Sequence, residues 1–392
     1  MDIETLRRDT PGCAHRAHLN NAGAALMSRQ TLAAVTSHLE LEATIGGYEA
    51  AAAAQEGIEH VYDALARLVG ADRDEIAVIE NATRAWDMAF YGLRFEPGDR
   101  ILTARSEYAS NAIAYLQTAR RYGVSVETVP DDEHGQLSVE ALRSMLDERV
   151  RLIAVTHVPT QSGLVNPAAE IGKVAREAGV TYLLDACQSV GQLPVDVAEI
   201  GCDLLTATGR KFLRGPRGTG FLYASRRLTE RLEPPFLDLH SATWTGPDSY
   251  RVRPDARRFE TWETFYAGKI GLGVAVDTAL DLGLDAVEAR VTALAARLRD
   301  GLRSLPGVHV HDRGLRLSGI VSFTVDGHEP ADLAELLRSR EVNVSVSHAT
   351  SAQWDLGSRG LPSVVRASVH YYNTEAELSR LLDALPAALP AG

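Results

Sequence analysis

Between Arg100 and Ala207, short apolar runs alternate with segments whose apolar residues recur every three or four positions. The runs Arg100–Thr103, Ser125–Val129, Leu152–His157, Thr181–Asp185 and Leu204–Ala207 predict strands, and Glu75–Glu80 predicts one more upstream. The intervening Asn111–Tyr122, Val139–Leu146 and Ala168–Ala178 carry helical spacing, as do Gln55–Val69 and Trp86–Leu93. Strands separated by helices of about ten residues predict an α/β unit, a mostly parallel sheet with helices on both faces. Thr31–Ala54 is Ala-rich and broken at Gly46–Gly47. Each glycine there costs a helix about 1 kcal/mol, so the pair marks a hinge or a close approach of backbone to a ligand.

Past residue 260 the pattern changes. Leu237–Arg258 is irregular and Phe259–Tyr266 short and aromatic. Helices are predicted at Gly268–Ala279, Asp285–Leu305, Pro330–Arg340 and Glu375–Ala388, and strands at Gly319–Val325, Val342–Val346 and Val364–Ser368. This reads as a smaller α+β unit of about 120 residues. The expected division is a large domain at 20–260 and a small one from 1–19 and 261–392.

Ligands of open parallel sheets sit beyond the carboxyl ends of the strands. Five polar clusters fall at such ends: Asn81–Arg84, Glu107–Asn111, His157–Gly163, Asp185–Gln188 and Thr208–Lys211. Asn81–Arg84, between a strand and a helix, suits either a plain N-cap or an anion site built from free N–H groups and the helix dipole. Asp185 ends an apolar run. Lys211 lies between small polar residues and a loop containing Gly215, Pro216, Gly218 and Gly220, with Arg210, Arg214 and Arg217 close in sequence. Neighbouring cations and desolvation turn a lysine into a nucleophile. An acid and such a lysine at opposite ends of one ligand suit a carbonyl cofactor held as a Schiff base, its ring nitrogen paired with the acid.

Composition narrows the class. The 392 residues are 45% hydrophobic and 23% charged, ordinary for a globular protein, and long enough for two cores. The net charge of −12 argues against nucleic acid or anionic membranes as partners. No apolar run reaches the ~20 residues of a membrane span, and the N-terminus lacks the apolar core of a secretory signal, so a cytoplasmic location is expected. Three cysteines without CxxC spacing and scattered histidines fit neither a disulfide framework nor a metal site. Cys187 and Cys202, in apolar context, read as inert core residues.

Asp185–Gln188, then Lys211 followed by Gly215–Gly220, resembles the class V aminotransferase family of pyridoxal-phosphate enzymes. Leu19–Ala22 and Arg366–Thr374 resemble that family's opening and closing motifs. The resemblance spans nearly the whole chain and implies fold type I, a pyridoxal 5′-phosphate cofactor and a homodimer with shared active sites. By matching position, Lys211 would carry the cofactor, Asp185 would pair with its ring nitrogen, and Gln188 would bond the ring oxygen. Ala82, Thr83, Thr208 and Arg210 would hold the phosphate. Tyr108 stands where relatives carry a stacking His; a phenol is the poorer base, which would put proton transfer on Lys211. Arg366 would clamp a substrate carboxylate with help from Asn21. Thr264, or Thr261, would reach the neighbouring subunit's phosphate. Gly46–Tyr48, Trp86, Trp244 and the loop around Trp354 are candidates for a substrate pocket, with Tyr48 as its binding residue.

The resemblance leaves the reaction open. Desulfurases of the family need a nucleophilic Cys before the closing motif, and Ser345–Pro362 contains none. Thr160 stands where many relatives carry Asn. Gly46–Ala51 and Gly209–Gly218 look like C–S lyases of ergothioneine biosynthesis and related enzymes of specialised metabolism that process cysteine S-conjugates. His157–Pro167 looks equally like isopenicillin N epimerases. The expectation is a lyase that cleaves a cysteine S-conjugate to a sulfur product, pyruvate and ammonia. The alternative is decarboxylation-dependent oxidative deamination, epimerisation or transamination of a similar amino acid.

Overall fold

A computed structural model describes residues 1–386. Its central sheet has seven strands in the order Ile76–Ile79, Gly220–Ala224, Leu204–Thr208, Thr181–Asp185, Val150–Thr156, Arg100–Thr103 and Ser125–Thr128. The pairings are parallel except at Gly220–Ala224, which runs antiparallel to both neighbours. Successive residues of a strand feed opposite cores. Ile153, Val155, Leu184 and Leu205 pack on one face, while Leu152, Ala154, Leu183 and Leu204 pack on the other. Both faces are covered, which is why these strands read as continuous apolar runs.

Gly220–Ala224 is absent from the expected strands: Phe221–Ala224 is an apolar run, but it follows directly on the Gly- and Pro-rich loop. Its first residue must be small: a Cβ on Gly220 would stand 2.8 Å from the Asn81 carbonyl carbon and from the Ala207 oxygen. The strand therefore runs directly beneath the helix Ala82–Phe90, whose start lies four residues before the expected Trp86.

The second unit holds a four-stranded antiparallel sheet, Val308–Val310, Ile320–Val325, Ser363–Ser368 and Ser345–His348 in spatial order. The helices Leu284–Arg303, Pro330–Ser339 and Glu375–Ala384 complete its core together with Ala17 and Leu19 from the N-terminus. The expected helix end at Ala388 lies outside the described residues.

The boundary differs from expectation. Helix Tyr266–Leu282 buries Leu272, Val276 and Ala279 in the core of the large unit, so the division falls at Gly283, with φ +76°, rather than at 261. Gly46, with φ +100°, ends helix Arg29–Ile45 and starts Gly47–Ala53, a hinge in the chain. Within the supposedly irregular Leu237–Arg258, Ala242–Gly246 and Ser249–Val252 form a two-stranded ribbon.

Candidate active site

Parallel register sets the first side chains. Thr156 and Asp185 are partners at the carboxyl ends of adjacent strands, and Asp185 is partnered in turn by Thr206. Asp185 is buried; its Oδ1 accepts from the Cys187 N–H at 2.9 Å and its Oδ2 from the Asn111 amide at 3.0 Å. Burial pushes its carboxyl up, opposed by those two bonds and by Lys211. Lys211 sits on the turn after Leu204–Thr208, and its Nζ lies 3.5 Å from Cys187 Sγ. Both line one cavity with Asp185, Gln188, Tyr108 and Thr160. Cys202 is a buried core residue, but Cys187, expected as another inert core residue, faces Lys211 instead.

The far end of the cavity is built for an anion. Asn81 caps the helix through Oδ1, accepting from Arg84 N at 2.9 Å. The N–H groups of Ala82 and Thr83 remain free of intrahelical partners and point out of the positive end of the helix. The cap and the anion site are thus one arrangement. Thr208 and Arg210 line the same cavity, and Arg210 also donates to the Gly23 carbonyl. Arg214 and Arg217 do not join it. Arg214 is spent on Leu26 O at 2.7 Å, Thr10 at 2.6 Å and the Tyr371 hydroxyl, and Arg217 is exposed.

The small unit contributes Arg366, the residue expected to clamp a substrate carboxylate. Arg366 donates through Nη1 to Thr160 O at 3.0 Å and Oγ1 at 2.7 Å, and through Nη2 to Asn20 Oδ1 at 3.1 Å. No carboxylate answers it among the described residues, and its buried Nε has no partner. Burial, with Arg210 nearby, pushes the guanidinium down to about 10. A buried cation without a counter-ion is a site for an anion.

Asn21 does not reach this site. It is fully buried, donating to Ser368 O at 2.7 Å and His18 O at 3.1 Å and accepting from the Tyr372 hydroxyl. Its neighbour Asn20 is the residue beside Arg366. Trp86 is also a correction: it is 1% exposed and packs against Phe90 and Tyr115 in the core. Trp244 is exposed on the ribbon, and Trp354 is half-buried against the core cluster that holds Trp86. Within one chain Tyr48, Thr261 and Thr264 line a separate surface groove with Trp262 and Phe265, away from Lys211.

Glu107 and Asn111 come from a polar cluster expected at a strand end, though no role was attached to either; Thr156 and Asn20 join the site with no such signal.

The cavity suits pyridoxal phosphate on its own donors: an acid at one end, free N–H groups at the other, and a lysine between. Gln188 donates to Ala22 O and Thr160 Oγ1, each at 3.1 Å, and leaves its buried Oε1 without a partner on the cavity wall. The model of the family described as Aminotransferase class-V matches residues 17–381. A probable cysteine desulfurase of Methanothermobacter thermautotrophicus is 31% identical over 98% of both chains. The apo structure of a cysteine desulfurase from Thermococcus onnurineus superposes with a TM-score of 0.90 at 26% identity, covering 97% of this chain and 96% of that one. The cystine C–S lyase C-DES in complex with its product cysteine persulfide gives 0.85 at 25% identity, over 95% of this chain and 98% of that one. Matched from end to end on these residues, the chain belongs to the class V aminotransferase family and is a pyridoxal-phosphate-dependent lyase of fold type I.

Proposed function

We propose that the protein is a C–S β-lyase that cleaves a cysteine S-conjugate to a thiol or other sulfur product, pyruvate and ammonia. The observation that carries this reading is a missing thiol. Segment 345–362 contains no cysteine. It runs from the strand Ser345–His348 into short turns, where Asp355 is tied to Gln161 at 3.0 Å and Arg359 at 3.2 Å. Cys187 is a poor substitute acceptor. Burial pushes its thiol up against the opposing pull of Lys211, so it stays neutral. The named relatives act on the sulfur of cysteine or cystine, and cystine is itself a cysteine with a substituted sulfur.

Pyridoxal phosphate, when bound, supplies the electron sink for the reaction. Asp185 would hold the ring-nitrogen end, and Ala82, Thr83, Thr208 and Arg210 would hold the phosphate. Arg366 takes the substrate carboxylate as a fork, with Asn20 and Thr160 fixing the guanidinium plane. Lys211 removes the Cα proton, and the sulfur group leaves Cβ. The released three-carbon enamine hydrolyses to pyruvate and ammonia.

Two further statements belong to this reading. The protein is a homodimer with shared sites: Tyr48, Trp262 and Phe265 are 80%, 56% and 41% exposed around the groove that holds Thr264, and a second copy would cover them. It works in the cytoplasm, where its three free thiols stay reduced. The alternative of decarboxylation-dependent deamination, epimerisation or transamination draws support from Tyr108, a weak base on the cavity wall.

Incubation with a panel of S-substituted cysteines tests the proposal. Pyruvate and a free sulfur product in equal amounts are expected. An aldehyde with loss of carbon dioxide, or Cα exchange without cleavage, would give the case to the alternative.

A further inference from the structure

Below Asp185 lies a second buried carboxylate that the proposed reaction does not use. Glu107 is 3% exposed and receives five donors. Its Oε1 accepts from the Tyr108 N–H at 2.7 Å, from the Asn111 amide at 3.0 Å and from the Thr156 hydroxyl. Its Oε2 accepts from Thr103 at 2.8 Å and from the Tyr115 hydroxyl at 3.2 Å. The same Asn111 nitrogen that serves Glu107 serves Asp185 at 3.0 Å. One amide group thus bridges two carboxylates, one hydrogen to each.

The bridge fixes charge as well as position. Two of the donors to Glu107, the Tyr108 N–H and the Asn111 amide, cannot accept a proton, and the Asn111 amide also donates to Asp185, so the network favours the anionic form of both acids. The charged and titratable groups facing the pair are Tyr115 and Asp185 around Glu107, and Lys211 and Cys187 around Asp185. Of these Lys211 alone is a cation, and it acts on Asp185. Burial pushes Glu107 up to about 6, and the Asp185 charge adds to it. Two buried like charges are costly unless a cation joins them. The place for one is the open side of Asp185.

We infer that Glu107 is a positioning residue that, through Asn111, orients Asp185 and adds a second negative charge beneath the cofactor's ring nitrogen, holding that nitrogen protonated. Glu107 touches neither cofactor nor substrate and acts through Asn111 and Asp185. This rests on pyridoxal phosphate occupying the cavity, but not on the lyase reaction.

The test compares wild type, Glu107→Gln and Asn111→Leu as holoenzymes, with no substrate. The pH midpoint of the bound cofactor's ring nitrogen is read from its 15N chemical shift, together with the dissociation constant for pyridoxal phosphate and the melting temperature of each apoprotein. Both variants are expected to move the midpoint down by roughly half a pH unit or more, because a negative charge favouring the protonated form is lost or uncoupled. Both are expected to weaken cofactor binding roughly three- to tenfold. A residue with a merely structural role would lower the melting temperature and leave the midpoint alone. An unchanged midpoint in folded variants, or loss of folding in both, overturns the inference. A wild-type protein that takes up no pyridoxal phosphate overturns the cofactor reading and this inference with it.

Discussion

Arg366 and Thr160 are joined twice, by one guanidinium nitrogen that donates to the Thr160 carbonyl at 3.0 Å and to its hydroxyl at 2.7 Å. The pair spans the two units of the chain, one residue on the strand Ser363–Ser368 and the other beyond Val150–Thr156. The Thr160 hydroxyl also accepts from Gln188 at 3.1 Å. A single hydroxyl therefore links Arg366, the proposed carboxylate clamp, to Gln188 on the cavity wall.

Removing that hydroxyl should loosen the clamp. Thr160→Val is expected to raise KM roughly tenfold or more, since bonds to a charged group contribute about 1.5–3 kcal/mol. Thr160→Ser should retain most of the affinity. Arg366→Ala should cost about 2–5 kcal/mol of substrate binding, read as KM for the preferred conjugate. Equal KM values for Arg366→Ala and wild type would remove Arg366 from the site.

Lys211 is expected to be indispensable. Lys211→Ala should abolish turnover, and after hydride reduction of the wild-type holoenzyme the added cofactor mass should map to the peptide containing Lys211. Mapping to Lys269, which is already engaged by Glu260 and Tyr62, would contradict the assignment.

The loop carrying Thr160 is anchored by a buried ion pair. Arg299 and Asp312 meet at 2.7 Å with side chains 3% and 0% exposed, and Asp312 also accepts from the Gly163 N–H at 3.0 Å. Asp312→Ala leaves Arg299 buried and unpaired, so about 3–5 kcal/mol of stability should be lost. The denaturant midpoint measures it. A change under about 1 kcal/mol, the size of an exposed pair, would contradict the burial.

Glu260 should shape stability in acid. Burial pushes its carboxyl up, but Lys269, His240 and the Val78 N–H outweigh that and bring it down to about 2. A carboxyl depressed on folding contributes stability above its unfolded pKa of about 4.3, lost as pH falls toward the folded value. Between about pH 4.5 and 2 the wild type should lose stability more steeply than Glu260→Gln. Parallel curves would contradict it.

Much of this was legible because the sheet is buried on both faces. Asp185 ends an apolar run and Lys211 lies on the small-polar turn after the next strand, so their place at strand ends could be read locally. Asn20 and Asn21 show where such reading stops. Asn20 bridges Ser368, a partner nearly 350 positions away, and that pairing decides which of two adjacent asparagines turns toward Arg366. The strand Gly220–Ala224 was hidden for a related reason, since its glycine is set by the approach of Asn81 rather than by strand propensity. The boundary at Gly283 depends on Tyr266–Leu282 packing against Gln55–Val69 and Arg29–Ile45, contacts that no local pattern encodes.

Tracing the sulfur atom through one turnover tests the central claim most directly. The holoenzyme would be given a conjugate labelled at sulfur, and the label sought in small molecules and on the intact protein, in wild type and in Cys187→Ser. The account predicts all label in a free sulfur product, one pyruvate per label, and no sulfur added to the protein in either form. Label held as a persulfide on Cys187, and lost in Cys187→Ser, would show a protein-bound sulfur acceptor and contradict it.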